Sequence, residues 1–174
     1  YPHALNLPIK AEELPAHIEP YLELIQKIGF LAAQLNKAAF KSIRLETEGE
    51  ISDYASSLLT FGIVGVLKDV SEDKVNYVNA AFVANEKGIE TTYESVVSDG
   101  GYKNKVTLIL TTEKDVIRIS GTVFGDNEQR IVGINGFKFD FKPKGKMIIF
   151  KNRDVPGVIA TITSILAKAN INIA

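Results

Sequence analysis

The chain holds 174 residues, 45% of them hydrophobic and 24% charged, with a formal net charge of −1. That is the composition of an ordinary globular protein, long enough for one good core or two small domains; the near-neutral charge gives no reason to expect a general binder of nucleic acid or anionic membrane. There is no cysteine, which excludes disulfides and thiolate chemistry, and the only histidines, His3 and His17, lie near the N-terminus, so no structural zinc site is expected.

No stretch of about 18 apolar residues occurs, so no membrane-crossing helix is expected, and the opening residues lack the basic-then-apolar order of a secretion leader. The chain starts at Tyr1, its only methionine is Met147, and it stops at Ala174 just as a strand pattern begins. The simplest reading of these ends is a piece from inside a longer protein.

Pro2, Pro8 and Pro15 fix φ and remove backbone donors, so residues 1–16 read as an extended or turning connector. From His17 to about Asn36, the residues Ile18, Tyr21, Leu22, Ile25, Ile28, Leu31, Ala32 and Leu35 recur at helical spacings, and Gly29 among them marks a close approach to another element. Residues 41–51 alternate, with Ile43, Leu45 and Thr47 set against Arg44, Glu46 and Glu48, which predicts a half-exposed strand. Asp53 is placed to cap a helix over 54–67, and the glycines of TFGIVG within it read as close helix packing. After a polar break at 69–73, KVNYVNAAFVANEKGI predicts a second helix closed by Gly88. From Ile89 the period changes to two, and strands are expected at 89–97, 105–112, 115–124, 129–134 and 137–142. Helices first and short-turned strands after imply an α+β fold, an antiparallel sheet with helices on one face. Pro143 and Gly145 punctuate the chain, and a last strand at 146–152 leads into a helix at 155–169. Boundaries are expected near 37 and 144: a connector and helix over 1–36, a central domain over 37–144 and a partial third domain over 145–174.

Catalytic chemistry finds no footing in these residues. There is no G-x-G-x-x-G and no P-loop, and with histidine confined to the opening stretch no Ser–His pairing is credible. Two places suit a ligand. In FKFDFKPKGK, phenylalanines alternate with charged residues and are expected to face the core. If 129–134 and 137–142 form a hairpin around Asn135-Gly136, then Arg130 and Lys142 meet across it and would attract a phosphate or carboxylate. The alternative is that these cations only solvate a strand. The second place is the corner KNRDVPGV. With Asp154 or Val155 as N-cap and Pro156 in the first turn, Gly157 leaves backbone donors open at a helix N-terminus, which favours a carboxylate. Asn152 and Asp154 would hold an ammonium or hydroxyl, so that the corner takes an amino acid at both ends. Otherwise Asp154 is a cap and nothing more.

KNRDVPGVIATITSILAKANINIA resembles the first half of an ACT domain, the small amino-acid-sensing βαββαβ module, through its polar strand end, its D-x-P-G-V turn, its helix and its N-I-N-I-A ending. ALNLP with IEPYLELIQKIGFLAAQL resembles the last segment of the substrate-binding domain in D-3-phosphoglycerate dehydrogenases of the long, three-part type. LKDVSEDKVNYVNAAFVANEKGIE and QRIVGINGFKFDFKP resemble their intervening domain, which some L-serine dehydratases share. The resemblance implies a regulatory C-terminal part of an NAD-dependent, cytoplasmic enzyme of L-serine biosynthesis, a homo-oligomer expected to be a tetramer. It implies L-serine as effector where ACT domains of two subunits meet, on Asn152, Asp154, Gly157 and Asn172, and a phosphate or 3-phosphoglycerate-like anion on Arg130 and Lys142. The family's nucleotide-binding glycines and catalytic residues have no counterpart here, so no catalytic residue, bound NAD or metal is expected in this piece. A serine dehydratase region or another amino-acid-sensing module is the rival reading.

Overall fold

The computed structural model describes residues 14–36, 38–70, 74–153 and 155–173. Most of the expected connector, the 71–73 part of the polar break and the candidate ligand Asp154 lie outside the described residues. The chain divides into two compact units between Pro143 and Lys144.

The first unit is α+β. A short 3-10 turn, Ala16–Ile18, runs into helix α1, Glu19–Gln34. Strand β1 spans Phe40–Glu48, and a 3-10 turn at Glu50–Tyr54 enters helix α2, Ala55–Leu67. Helix α3, Ala80–Glu86, is followed by β2, Glu90–Ser95, then β3, Lys105–Thr112, β4, Val116–Phe124, β5, Glu128–Ile134, and β6, Phe137–Phe141. These form one six-stranded sheet in the order β2-β1-β3-β4-β5-β6. Every pairing is antiparallel except β1 with β2, which run parallel. The expected α+β fold, an antiparallel sheet with helices on one face, holds but for that one pairing: α2 and α3 form a crossover that returns the chain to the same end of the sheet before β2 begins.

The alternation of β1 places Ile43 and Leu45 in the core, beside Leu108 and Leu110 of β3. Over them lie Leu24, Ile25 and Ile28 of α1 and Leu58, Ile63 and Leu67 of α2, all buried. Because α1 shares this core, the boundary expected near residue 37 is not a break in packing. Glycines set how closely the helices cross. A Cβ built on Gly29 would strike the Gly62 carbonyl oxygen, and one on Gly65 would strike the Gln26 carbonyl. The expected close packing at Gly29 and at TFGIVG is therefore one contact seen from two sides.

Asp53 does not cap α2. It lies inside the 3-10 turn, and Tyr54 holds the N-cap position with no side-chain bond. The incoming turn already continues toward helical geometry, and α2 is held by burial on nearly all sides. Gly88 does close α3: its N–H donates to the Asn85 carbonyl at 2.8 Å, and the Ile89 N–H donates to that of Ala84 at 2.9 Å.

The face of the sheet away from the helices carries ion pairs. Glu46 receives both guanidinium nitrogens of Arg118, at 2.7 and 3.0 Å, and Arg44 Nη2 at 2.9 Å. Lys105 Nζ lies 2.7 Å from Glu48 and 3.3 Å from Asp99. Burial pushes the Glu46 carboxyl up, but the hydrogen bond from Arg118 and the charges of Arg118 and Arg44 outweigh it and hold the group below its ordinary value.

In the second unit, helix α4 spans Val158–Lys168. Gly157 is its N-cap in the left-handed region at φ +92°, and Pro156 lies in the turn ahead of the helix. The expected start, with Asp154 or Val155 as cap and Pro156 in the first turn, is therefore corrected: the helix begins where glycine's backbone freedom allows the chain to turn in. No strand forms over 146–152 among the described residues. A strand needs a hydrogen-bonded neighbour, and this unit has none to offer. No residue of α4 is buried, and Ile159 and Ile165 are more than half exposed.

Two outcomes follow from this packing. Gly65→Ala should lower stability by about 2 kcal/mol, read as a fall in the urea midpoint at unchanged slope, because backbone cannot yield to a methyl. Gly133→Ala, where the nearest atom lies 3.6 Å from a built Cβ, should leave the midpoint nearly unmoved. The depressed Glu46 carboxyl contributes stability that is present above its unfolded value, 4.5, and is lost as pH falls through the lower folded value. Glu46→Gln should therefore be less stable at pH 7 and lose less on acidification than the parent chain, as measured by urea unfolding across the acid range.

Candidate functional site

The hairpin that brings Arg130 and Lys142 together is built by its turn. Asn135 and Gly136 both have positive φ, 50° and 83°, the paired left-handed geometry of a two-residue turn whose twist suits antiparallel strands. Asn135 is further fixed from β4: its side-chain oxygen accepts the Arg118 N–H at 2.8 Å, and its own N–H donates to the Arg118 carbonyl at 2.8 Å. The register then pairs Ile131 with Phe141, so Arg130 and Lys142 face each other one step beyond.

The two cations meet over a shared carboxylate. Lys142 Nζ lies 2.8 Å from Glu128 Oε2, and Arg130 Nη2 lies 4.0 Å from the same oxygen. Arg130 Nη1 also donates to Asp140 Oδ1 at 3.2 Å. The Lys142 hydrogen bond and charge hold the Glu128 carboxyl below its ordinary value, with Arg130 adding to the effect. Arg130 Nε is buried and has no hydrogen-bond partner among the described residues. The cluster is thus two cations and two carboxylates, in balance. The two cations are therefore already engaged by Glu128, in an arrangement of exposed groups whose net gain is small and salt-sensitive.

The phenylalanines of the same hairpin divide. Phe141 packs against the core. Phe137 and Phe139 are 66% and 44% exposed, contrary to the expectation that all three face inward. β6 is the sheet's edge, so no further strand covers them.

The corner of the second unit is open. Asn152, Gly157 and Asn172 are exposed. Asn152 Nδ2 donates to its neighbour's carbonyl, that of Arg153, at 2.9 Å, and the Gly157 carbonyl accepts from Thr161 N–H at 2.9 Å and Thr161 Oγ1 at 3.0 Å. Among the described residues no hydrogen bond joins Asn152, Gly157 and Asn172 to one another.

One feature of the sheet escaped the sequence reading. A cleft of about 610 Å³ opens on the first unit, lined among others by Asp99, Lys105, Arg118, Ser120 and Lys138. Its charged residues lie on different strands and loops, so only the sheet order brings them together. Alternation along β4 places Arg118 and Ser120 on one face, but it does not reveal what stands opposite. The unit's single parallel crossover, which is where a dinucleotide-binding glycine loop would sit, instead enters α2 through Glu50 and Asp53. Those carboxylates do not fit a pyrophosphate. Among the described residues no helix is long and apolar enough to cross a membrane.

Comparison with known proteins adds independent findings. Residues 17–135 match the family model of the D-3-phosphoglycerate dehydrogenase intervening domain, and residues 146–174 match that of the ACT domain. A Bacillus subtilis protein named D-3-phosphoglycerate dehydrogenase is 34% identical over 98% of this chain and 33% of its own length. Proteins of that name from Synechocystis and Archaeoglobus fulgidus are 30% and 29% identical, over 98% and 99% of this chain and 31% and 33% of theirs. The chain spans about a third of the length of the curated relatives it matches. Because the family model covers most of the residues that build the helix-backed sheet, this chain belongs to the D-3-phosphoglycerate dehydrogenase intervening-domain family, with an ACT-type segment following it.

Proposed function

We propose that this chain is the regulatory C-terminal part of an NAD-dependent D-3-phosphoglycerate dehydrogenase, a cytoplasmic enzyme that opens L-serine biosynthesis. The observation that carries the reading is the succession on one chain of an intervening-domain match and an ACT match, in the order expected from the sequence. Catalysis and NAD binding belong to the parent protein outside these 174 residues. This part senses. L-serine is held at a subunit interface of a homo-oligomer by Asn152, Asp154, Gly157 and Asn172. A phosphate or 3-phosphoglycerate-like anion is held by Arg130 and Lys142.

The chemistry supports this division. A zwitterion needs donors for its carboxylate and acceptors for its ammonium, and the Gly157 turn and the side chains of Asn152 and Asn172 supply both kinds while remaining exposed. The open α4 surface leaves room for the rest of the binding site to come from elsewhere in the assembly. At the hairpin, Arg130 and Lys142 are already adjacent, and Glu128 occupies the position that an anion would take. Effector binding regulates only as far as serine distinguishes two arrangements of the enzyme, typically about 1–3 kcal/mol of coupling.

Titration calorimetry of the parent dehydrogenase with millimolar L-serine should give saturable heat, accompanied by loss of activity. Absence of both removes the serine claim. Replacing Arg130 and Lys142 together by alanine should weaken phosphate binding about tenfold or more while leaving the serine heat intact; unchanged phosphate binding would reduce both cations to strand solvation.

A further inference from the structure

Across the open face of the sheet runs a row of small side chains. The register sets Glu46 opposite Thr107, Thr107 opposite Ser120, Ser120 opposite Gly133 and Gly133 opposite Lys138. Thr107 and Ser120 join their hydroxyls at 2.8 Å, which uses one of the two hydroxyl hydrogens and leaves the other to donate. Ser120, Gly133 and Lys138 of this row line the cleft of about 610 Å³, a volume within the roughly 300–1,000 Å³ of small-molecule sites. The sheet is irregular at this point. β5 carries Val132 as an extra residue against β4, and β6 carries an extra residue against β5. Bulges bend a strand and are over-represented beside active sites.

Gly133 has no reason within the fold to be glycine. Its φ is not in the left-handed region, so the bulge does not demand it. The nearest atom to a Cβ built there is Ser120 Cβ at 3.6 Å, ordinary contact, so a methyl fits. A glycine inside a strand costs about 0.5–1 kcal/mol against alanine, and it marks a place where a ligand or another backbone comes close. The charges around the cleft add to this. Arg118 is engaged by Glu46, and Lys105 by Glu48 and Asp99. Lys138 forms no ion pair among the described residues. The Gly101 N–H, then Lys105, hold the Asp99 carboxyl below its ordinary value, and the charge of Lys138 adds to the effect. Lys138 is thus an uncommitted cation beside a bare stretch of backbone, unlike Arg130 and Lys142, which Glu128 and Asp140 already engage.

We propose that this cleft binds a small organic oxyanion, a carboxylate or a phosphate ester, whose acid group is held by Lys138 and whose body lies against the backbone at Gly133. The spare hydroxyl hydrogen of the Thr107–Ser120 pair donates to it from the other side of Gly133. The acid group makes charge-assisted hydrogen bonds with a lysine that needs no partner displaced first. The site uses neither Arg130 and Lys142 nor the residues around Gly157, and so stands apart from the effector reading.

Amide NMR of the 174-residue chain, titrated with malate or with glycerol 2-phosphate to ~10 mM, should show saturable shifts at Gly101, Gly133 and Gly136 for at least one of the two. Which of them responds tells carboxylate from ester. Inorganic phosphate should bind more weakly, since it has no body to lay on Gly133. Lys138→Gln should weaken the organic anion about tenfold. Gly133→Ala should weaken it too, read at Gly101 and Gly136, while the urea midpoint stays where it is, so the loss reports a filled cleft and not a damaged fold. The proposal is overturned if neither organic anion gives saturable shifts, if the shifts are confined to Arg130 and Lys142, if inorganic phosphate binds as tightly, or if either variant binds unchanged.

Discussion

The crossing of α1 over α2 at Gly29, Gly62 and Gly65 is the constraint on which the first unit depends. Backbone meets backbone there, so the two helices form a thin, continuous layer instead of two separate rods. That layer covers β1, β3 and β4 at once, and it places Leu24 and Ile28 of α1 against Gly121 of β4. Any side chain at the crossing would lift one helix from the sheet. The hydrophobic contribution of residues such as Ile25, Leu58 and Leu108, about 2 kcal/mol for each fully buried side chain, then falls together, since they share one packed volume.

With its helices committed to one face, the sheet meets water with the other, and charge there is arranged in pairs rather than patches. Arg118 reaches Glu46 across β3, and Lys105 links Glu48 to the Asp99 loop. These groups are only partly desolvated, so they contribute register and orientation more than raw stability. The Arg130, Lys142, Glu128 and Asp140 cluster continues the scheme to the edge. Its two cations and two carboxylates leave no uncompensated charge there.

Much of the fold was legible because hydrophobic period is local. The change from helical spacing to alternation at Ile89 marks the passage from helices to strands, and Asn135-Gly136 announces its hairpin. What stayed hidden is non-local. The parallel pairing of β1 with β2 depends on where the α2–α3 crossover sets the chain down. The Arg118–Glu46 bond spans 72 positions and leaves no trace in either strand's pattern. The phenylalanines of β6 alternate as an inward-facing set would, and only the strand order exposes two of them. The candidate site divides in the same way. The meeting of Arg130 and Lys142 follows from a readable turn, while their pairing with Glu128 and Asp140 depends on side-chain reach that the strand pattern does not encode. The start of α4 is set by the φ of Gly157 and not by a capping side chain, which the residue pattern alone does not reveal.

The parallel β2 has a consequence for the way the domain comes apart. It joins the sheet across a long crossover, so its docking carries a larger loop-closure cost than any hairpin in the unit. Little apolar burial repays that cost: of its positions only Thr91 is partly buried, and the backbone ladder is supplemented by a 3.4 Å contact from Thr47 Oγ1 to the Glu94 carbonyl, a 3.1 Å bond from Ser95 Oγ to Ser52 Oγ and the Arg44–Glu94 pair at 3.6 Å. The remaining five strands and α1 retain the core without it. The strand can therefore peel off as a subglobal opening, drawing the short α3 with it, while the rest of the domain stays folded. The first unit thus has a soft flank at β2, and partial unfolding, proteolysis and exchange will begin there.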